Sequence, residues 1–146
     1  MLKMKKIFLF AFILFIGKTI AQTEGYAKNN DNSLTYYKTF GKGEPLLIIN
    51  GGPGMNSNGF EDLAKTLSES QETIIYDQRG TGKSTLAKID ATTVSMQLMA
   101  DDIESLRKHL KIKKWNVLGH SFGGMLASYY ATIYPNSIDK LILSSS

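Results

Sequence analysis

A chain of 146 residues, 42% apolar and 21% charged, has the composition of one globular domain, which excludes disordered, collagen-like and low-complexity classes. With no cysteine it has no disulfide framework, thiolate metal site, Cys nucleophile or acylated Cys anchor. The formal charge of +4 rests entirely on Lys3, Lys5, Lys6 and Lys18, so the rest of the chain is neutral and offers nucleic acid no basic surface.

Those lysines belong to the first element. Residues 1–21 read as a secretory signal: lysines, an apolar run over 7–16, then Thr19-Ile20-Ala21 with small residues at the third and first positions before a cut. The run is about half of the roughly 20 residues that a spanning helix needs, so no stable membrane anchor is expected after cleavage. The mature part, residues 22–146, is expected to work in the periplasm or outside the cell. Residues 25–40 then read as two polar strands, an antiparallel edge hairpin. Pro45-Leu46-Leu47-Ile48-Ile49 is a buried strand that ends in Asn50-Gly51-Gly52-Pro53-Gly54. A helix is predicted over 60–67 and a core strand over 73–76, running into Asp77-Gln78-Arg79-Gly80-Thr81-Gly82-Lys83-Ser84.

Met96, Met99, Ile103, Leu106 and Leu110 recur at steps of three and four, one apolar stripe on a long helix. Asp101, Asp102, Glu104, Arg107 and Lys108 are expected to fill its solvated faces, with Glu104 and Lys108 as a pair. A strand over 115–118, a helix over 124–134 stopped by Pro135, and a strand at Leu141-Ile142-Leu143 complete the alternation. Apolar runs alternating with helical patterns imply an α/β domain, a mostly parallel sheet with helices on both faces.

Gly119-His120-Ser121-Phe122-Gly123 lies between a core strand and a helix, the context in which G-x-S-x-G forms a nucleophile elbow. A sharp strand-to-helix turn lifts the Ser121 hydroxyl clear of the sheet, and Gly119 and Gly123 leave room for it. The helix N-terminus beside it favours negative charge on a substrate oxygen. An oxyanion hole takes one amide from the residue after the nucleophile, here Phe122, and one from a loop after an earlier strand. The glycine loop at 50–54 is such a loop, stiffened by Pro53. The run Arg79 to Ser84 looks like a phosphate loop, but that pattern requires Gly where this chain has Asp77, and a carboxylate there repels phosphate. The segment is instead expected to be a charged turn in which Asp77 and Arg79 pair and brace the elbow, with His120 helping to shape it.

Taken in register from about residue 30 to 146, the loop 50–54, the turn 77–84, the segment 102–107 leading into 115–123, and Tyr134-Pro135 resemble the α/β-hydrolases of the prolyl aminopeptidase (proline iminopeptidase) group. The resemblance implies the α/β-hydrolase fold, with Ser121 as nucleophile and Gly52 and Phe122 as oxyanion positions. It departs from the family at Asn50, where His is usual, and at His120-Ser121-Phe122, where Gly-Ser-Trp is frequent. In α/β-hydrolases the triad acid and His follow the nucleophile. Here His120 adjoins Ser121 without being able to take its proton, and His109 is expected on the surface about 20 Å away along its helix. Asp139, the only acid after Ser121, precedes the last predicted strand. Triad Asp and His are therefore read as absent, and the chain as the N-terminal part of a catalytic domain truncated after about six strands. It is expected to be inactive alone, with residues 141–143 as an exposed apolar edge.

Three functions fit this reading. The first is an aminopeptidase releasing N-terminal proline through an acyl-enzyme at Ser121; the others are an esterase or other small-molecule hydrolase, and a non-catalytic binding module. The expected partner is a small-molecule or short-peptide substrate, with no metal, no organic cofactor and no nucleic acid. No sequence feature specifies an oligomeric state.

Overall fold

The computed structural model describes residues 21–146; the expected leader lies, but for Ala21, outside the described residues. Six strands form one sheet: β1 (Gln22–Lys28), β2 (Leu34–Phe40), β3 (Pro45–Ile49), β4 (Glu72–Tyr76), β5 (Trp115–His120) and β6 (Ile138–Ser144). Three α-helices connect them: α1 (Glu61–Leu67), α2 (Met96–His109) and α3 (Phe122–Ile133). Among the described residues no helix is long and apolar enough to cross a membrane.

The sheet runs in the order β1-β2-β4-β3-β5-β6. β1 and β2 form the expected antiparallel edge hairpin, and β2 joins β4 antiparallel. The remaining pairs are parallel. β3 is apolar along its whole length because helices cover both of its faces. Leu46 and Ile48 pack with Phe40, Ile75 and Ala64 of α1 on one side. Leu47 and Ile49 pack with Ile74, Val117, Ile103 and Leu126 on the side of α2 and α3. From β3 the chain crosses to β4 on one flank, and from β5 it crosses to β6 on the other. The carboxyl ends of β3 and β5 are therefore the switch point of the sheet, where open α/β sheets leave a crevice for ligands.

α2 begins at a Ser95 cap, whose hydroxyl accepts from the Leu98 amide at 3.2 Å. Met99, Ile103 and Leu106 of its stripe are buried, with Met96 and Leu110 packed at the margins. Its acidic residues depart from expectation, since Asp102 and Glu104 are buried rather than solvated. Each has a partner from another part of the fold that periodicity cannot reveal. Glu104 accepts from Arg107 at 2.6 and 2.9 Å and from the Tyr130 hydroxyl of α3 at 2.9 Å. The expected Lys108 contact is present but longer, at 3.6 Å. Burial pushes the Glu104 carboxyl up, but the hydrogen bonds from Arg107 and Tyr130 outweigh it and hold the group at about 2. With its folded pKa depressed, Glu104 contributes stability above the unfolded value near 4.5 that is lost as pH falls towards 2. Glu104→Gln is expected to flatten this acid limb by about 1–2 kcal/mol, measured as urea midpoints at pH 3 and pH 7.

Two other boundaries differ from the sequence reading. α3 starts at Phe122, two residues before the predicted start, because the turn at Ser121 delivers the chain directly into helix despite the low helix propensity of Gly123 and Gly124. β6 starts at Ile138, so Asp139 lies within the last strand rather than before it. As expected, Leu141, Ile142 and Leu143 are exposed on the edge strand, at 38, 44 and 51%.

Candidate active site

Ser121 caps α3 with φ 52° and ψ −122°, a conformation that L-residues rarely adopt and that glycine prefers at the first central position of a II′ turn. What holds it there is close packing of backbone against backbone. A Cβ on Gly119 would stand 2.4 Å from the Gly123 carbonyl oxygen, and one on Gly123 would stand 2.2 Å from that of Ile49. Only glycine at both positions lets the end of β5, the start of α3 and the end of β3 meet. The Ser121 amide donates to the Ser144 carbonyl of β6 at 2.9 Å, which secures the corner from the other flank. The residue is exposed, and among the described residues its hydroxyl makes no hydrogen bond.

The glycine loop faces this corner. β3 and β5 pair in parallel with Ile49 opposite Gly119, so the loops that follow them leave the same rim of the sheet. A Cβ on Gly51 would lie 3.0 Å from the Ser121 Cβ. Gly52 has φ +71° and Gly54 has φ +90°. The Met55 amide donates to the Gly52 carbonyl at 3.2 Å. With Pro53 at i+1 and a positive φ at i+2, this is the pattern of a type II turn. Gly51, Gly52, Met55, Phe60, His120 and Ser121 line a recess of about 240 Å³. Met55 and Phe60 supply its apolar wall, and neither stood out in the sequence, where both look like ordinary loop or helix-start residues.

His120 does not serve Ser121. Its Nδ1 lies 3.3 Å from the Ser144 hydroxyl, and its ring centroid is 5.6 Å from that of Phe60 with the planes tilted by 50°. His109 is exposed at the far end of α2, with Nε2 3.2 Å from the Tyr37 hydroxyl. These are the chain's two histidines. Among the described residues no group of three His, Asp or Glu side chains is arranged to hold a metal ion.

The expected pairing of Asp77 with Arg79 is replaced by two separate networks. Asp77 Oδ1 accepts from the Ser57 amide at 2.9 Å and its hydroxyl at 2.8 Å, and Oδ2 accepts from the Lys83 amide at 2.8 Å. Three donors from two loops consume the carboxylate, which thereby fastens the segment after β3 to the turn after β4. Arg79, its side chain 2% exposed, reaches α2 instead. It donates to both Asp102 oxygens, at 2.8 and 2.5 Å, and to Asp31 in the β1–β2 turn at 2.6 Å. A buried guanidinium needs a carboxylate that matches its fork, and Asp102 offers both oxygens. The guanidinium holds the Asp31 carboxyl well below the usual carboxylate range. Arg79 thus ties the edge hairpin to α2 and makes no hydrogen bond to residues 119–123.

A sequence profile described as alpha/beta hydrolase fold matches residues 44–146. The chain is 38% identical over 117 residues to the proline iminopeptidase of Lactobacillus helveticus, covering 77% of this chain and 40% of that one. Among solved structures it is similar to the proline iminopeptidase of Mycobacterium smegmatis, with TM-score 0.74 and 28% identity over 82% of this chain and 42% of the other. It is also similar to an esterase from Exiguobacterium antarcticum, with TM-score 0.73 and 32% identity over 83% of this chain and 44% of the other. The chain spans about two fifths of the length of the curated relatives it matches.

Proposed function

Because the chain belongs to the alpha/beta hydrolase fold family, we propose that it carries the nucleophile and oxyanion elements of a serine hydrolase that removes N-terminal proline from short peptides. Ser121 Oγ attacks the carbonyl carbon of the first residue. The carbonyl oxygen becomes an oxyanion held by the amides of Gly52 and Phe122. The hydroxyl proton passes to a base and from there to the departing amine. A prolyl ester on Ser121 remains, and water hydrolyses it to regenerate the hydroxyl. The observation that carries this reading is the strained Ser121 corner facing the glycine loop, so close that a Cβ on Gly51 would stand 3.0 Å from the Ser121 Cβ.

Neither histidine of the chain is placed to take the Ser121 proton. We propose that the base is supplied by a part of the protein outside these residues, so that residues 22–146 alone are expected to be inactive. We assign residues 1–21 to export. The preference for proline rests on the relatives named proline iminopeptidase. A second reading, esterase chemistry at the same serine, is favoured by the likeness to the Exiguobacterium esterase.

A panel of L-prolyl and L-alanyl arylamides and short-chain p-nitrophenyl esters on the full-length protein tests the assignment. Peptidase function predicts kcat/KM for the prolyl arylamide at least about tenfold above the alanyl one, the preference one ring-sized pocket can supply. Turnover of esters alone favours the second reading. A folded protein that neither turns over the panel nor reacts with a fluorophosphonate is a binding module.

A further inference from the structure

Asn50 and Gln78 are buried polar residues beside the glycine loop, at 2% and 0% exposure. The Asn50 side-chain amide Nδ2 donates to the Gly51 carbonyl at 3.1 Å and to the Met55 carbonyl at 3.1 Å. Gln78 Nε2 donates to the Asn50 carbonyl at 2.8 Å. Among the described residues Asn50 Oδ1 and Gln78 Oε1 have no partner. Both side chains are engaged through their NH2 groups alone, and a flipped amide would set oxygen against oxygen.

The carbonyl and the N–H of one trans peptide unit point in opposite directions. Fixing the Gly51 carbonyl therefore fixes the Gly52 N–H, and fixing the Asn50 carbonyl fixes the Gly51 N–H. Left alone, the unit between Gly51 and Gly52 could rotate at little cost, because glycine accepts either sign of φ. Such a rotation would turn the Gly52 donor away from any oxyanion. We infer that Asn50 is a positioning residue that locks the Gly52 amide in its donating orientation, with Gln78 locking the preceding unit. This deepens the reading of Ser121 and Gly52 given above and rests on it.

The test uses the full-length protein and a fluorophosphonate, whose phosphoryl oxygen is stabilised as the oxyanion would be. Asn50→Ala is expected to lower kinact by about 10- to 100-fold with KI changed less than about twofold, as for a mispositioned donor. Asn50→His, which restores an N–H donor, should recover most of the loss, and Gln78→Met should show a smaller fall of several-fold. If Asn50→Ala does not fold, as judged by its thermal transition, Gln78→Met decides. An unchanged kinact in the folded variant overturns the inference. So does a fall in which KI rises in step, or one that Asn50→His does not recover, since loss of loop structure alone would then account for it. Should the unsubstituted protein itself fail to react, the assignment of Ser121 falls first, and this inference with it.

Discussion

Ser121→Gly is expected to abolish reaction with a fluorophosphonate, lowering any turnover of the full-length protein by about 10⁶-fold, while raising its melting temperature. The two effects have one origin. At φ 52° and ψ −122° a serine pays about 1–3 kcal/mol in backbone strain that a glycine does not. Removing the Cβ relieves that strain, and a gain of about 1 kcal/mol corresponds to roughly 2–4 °C in a protein of this size. Ser121→Ala separates the contributions: it loses the hydroxyl and keeps the Cβ, so it should be equally inert with an unchanged melting temperature. A Ser121→Gly protein no more stable than Ser121→Ala would show that the corner is unstrained. Residual labelling of either variant at the original rate would place the nucleophile elsewhere.

The second large effect is expected at Gly123. Its missing Cβ would lie 2.2 Å from the Ile49 carbonyl oxygen and 2.6 Å from that of Asn50, and neither atom can swing aside as the end of a side chain could. Gly123→Ala should therefore push α3 away from the end of β3, at a cost of about 3–5 kcal/mol, with most of the protein unfolded or insoluble at 37 °C. Two other glycines calibrate the result. Gly54 has nothing within 4 Å of its Cβ position but sits at φ +90°, so alanine there should cost only about 1 kcal/mol of backbone strain. Gly59 has open space and no positive φ, so Gly59→Ala should be neutral or stabilising by a few tenths of a kcal/mol. Urea midpoints that fail to rank Gly123 below Gly54 and Gly54 below Gly59 would contradict the packing described at the corner.

The features visible from the sequence were those that local pattern determines. β3, β4 and β5 are short apolar runs between turn signals, and burial on both faces leaves no other arrangement for them. The Ser121 corner was legible because a strand, a glycine-flanked serine and a helix follow one another without a gap. What was not legible depends on partners distant in the chain. Asp102 and Glu104 carry the pattern of solvated helix charges, and only the arrival of Arg79 from the turn after β4 and of Tyr130 from α3 makes their burial tolerable. Asp77 and Arg79, two residues apart, looked like each other's natural partners until the loop amides claimed the first and α2 the second. Gln78, between them, gave no sign of its contact with Asn50.

The parallel register of β3 with β5 has a bearing on the order of events during synthesis. Leu46 to Ile49 find their neighbours at Asn116 to Gly119 only after α1, β4 and α2 have left the ribosome. Until then one flank of β3 presents unpaired amides and apolar side chains to whatever is nearby, and contacts this far apart along a chain form slowly. The stretch that ends in the glycine loop thus lies at the centre of the six-stranded sheet and stays paired on one flank only until β5 has emerged.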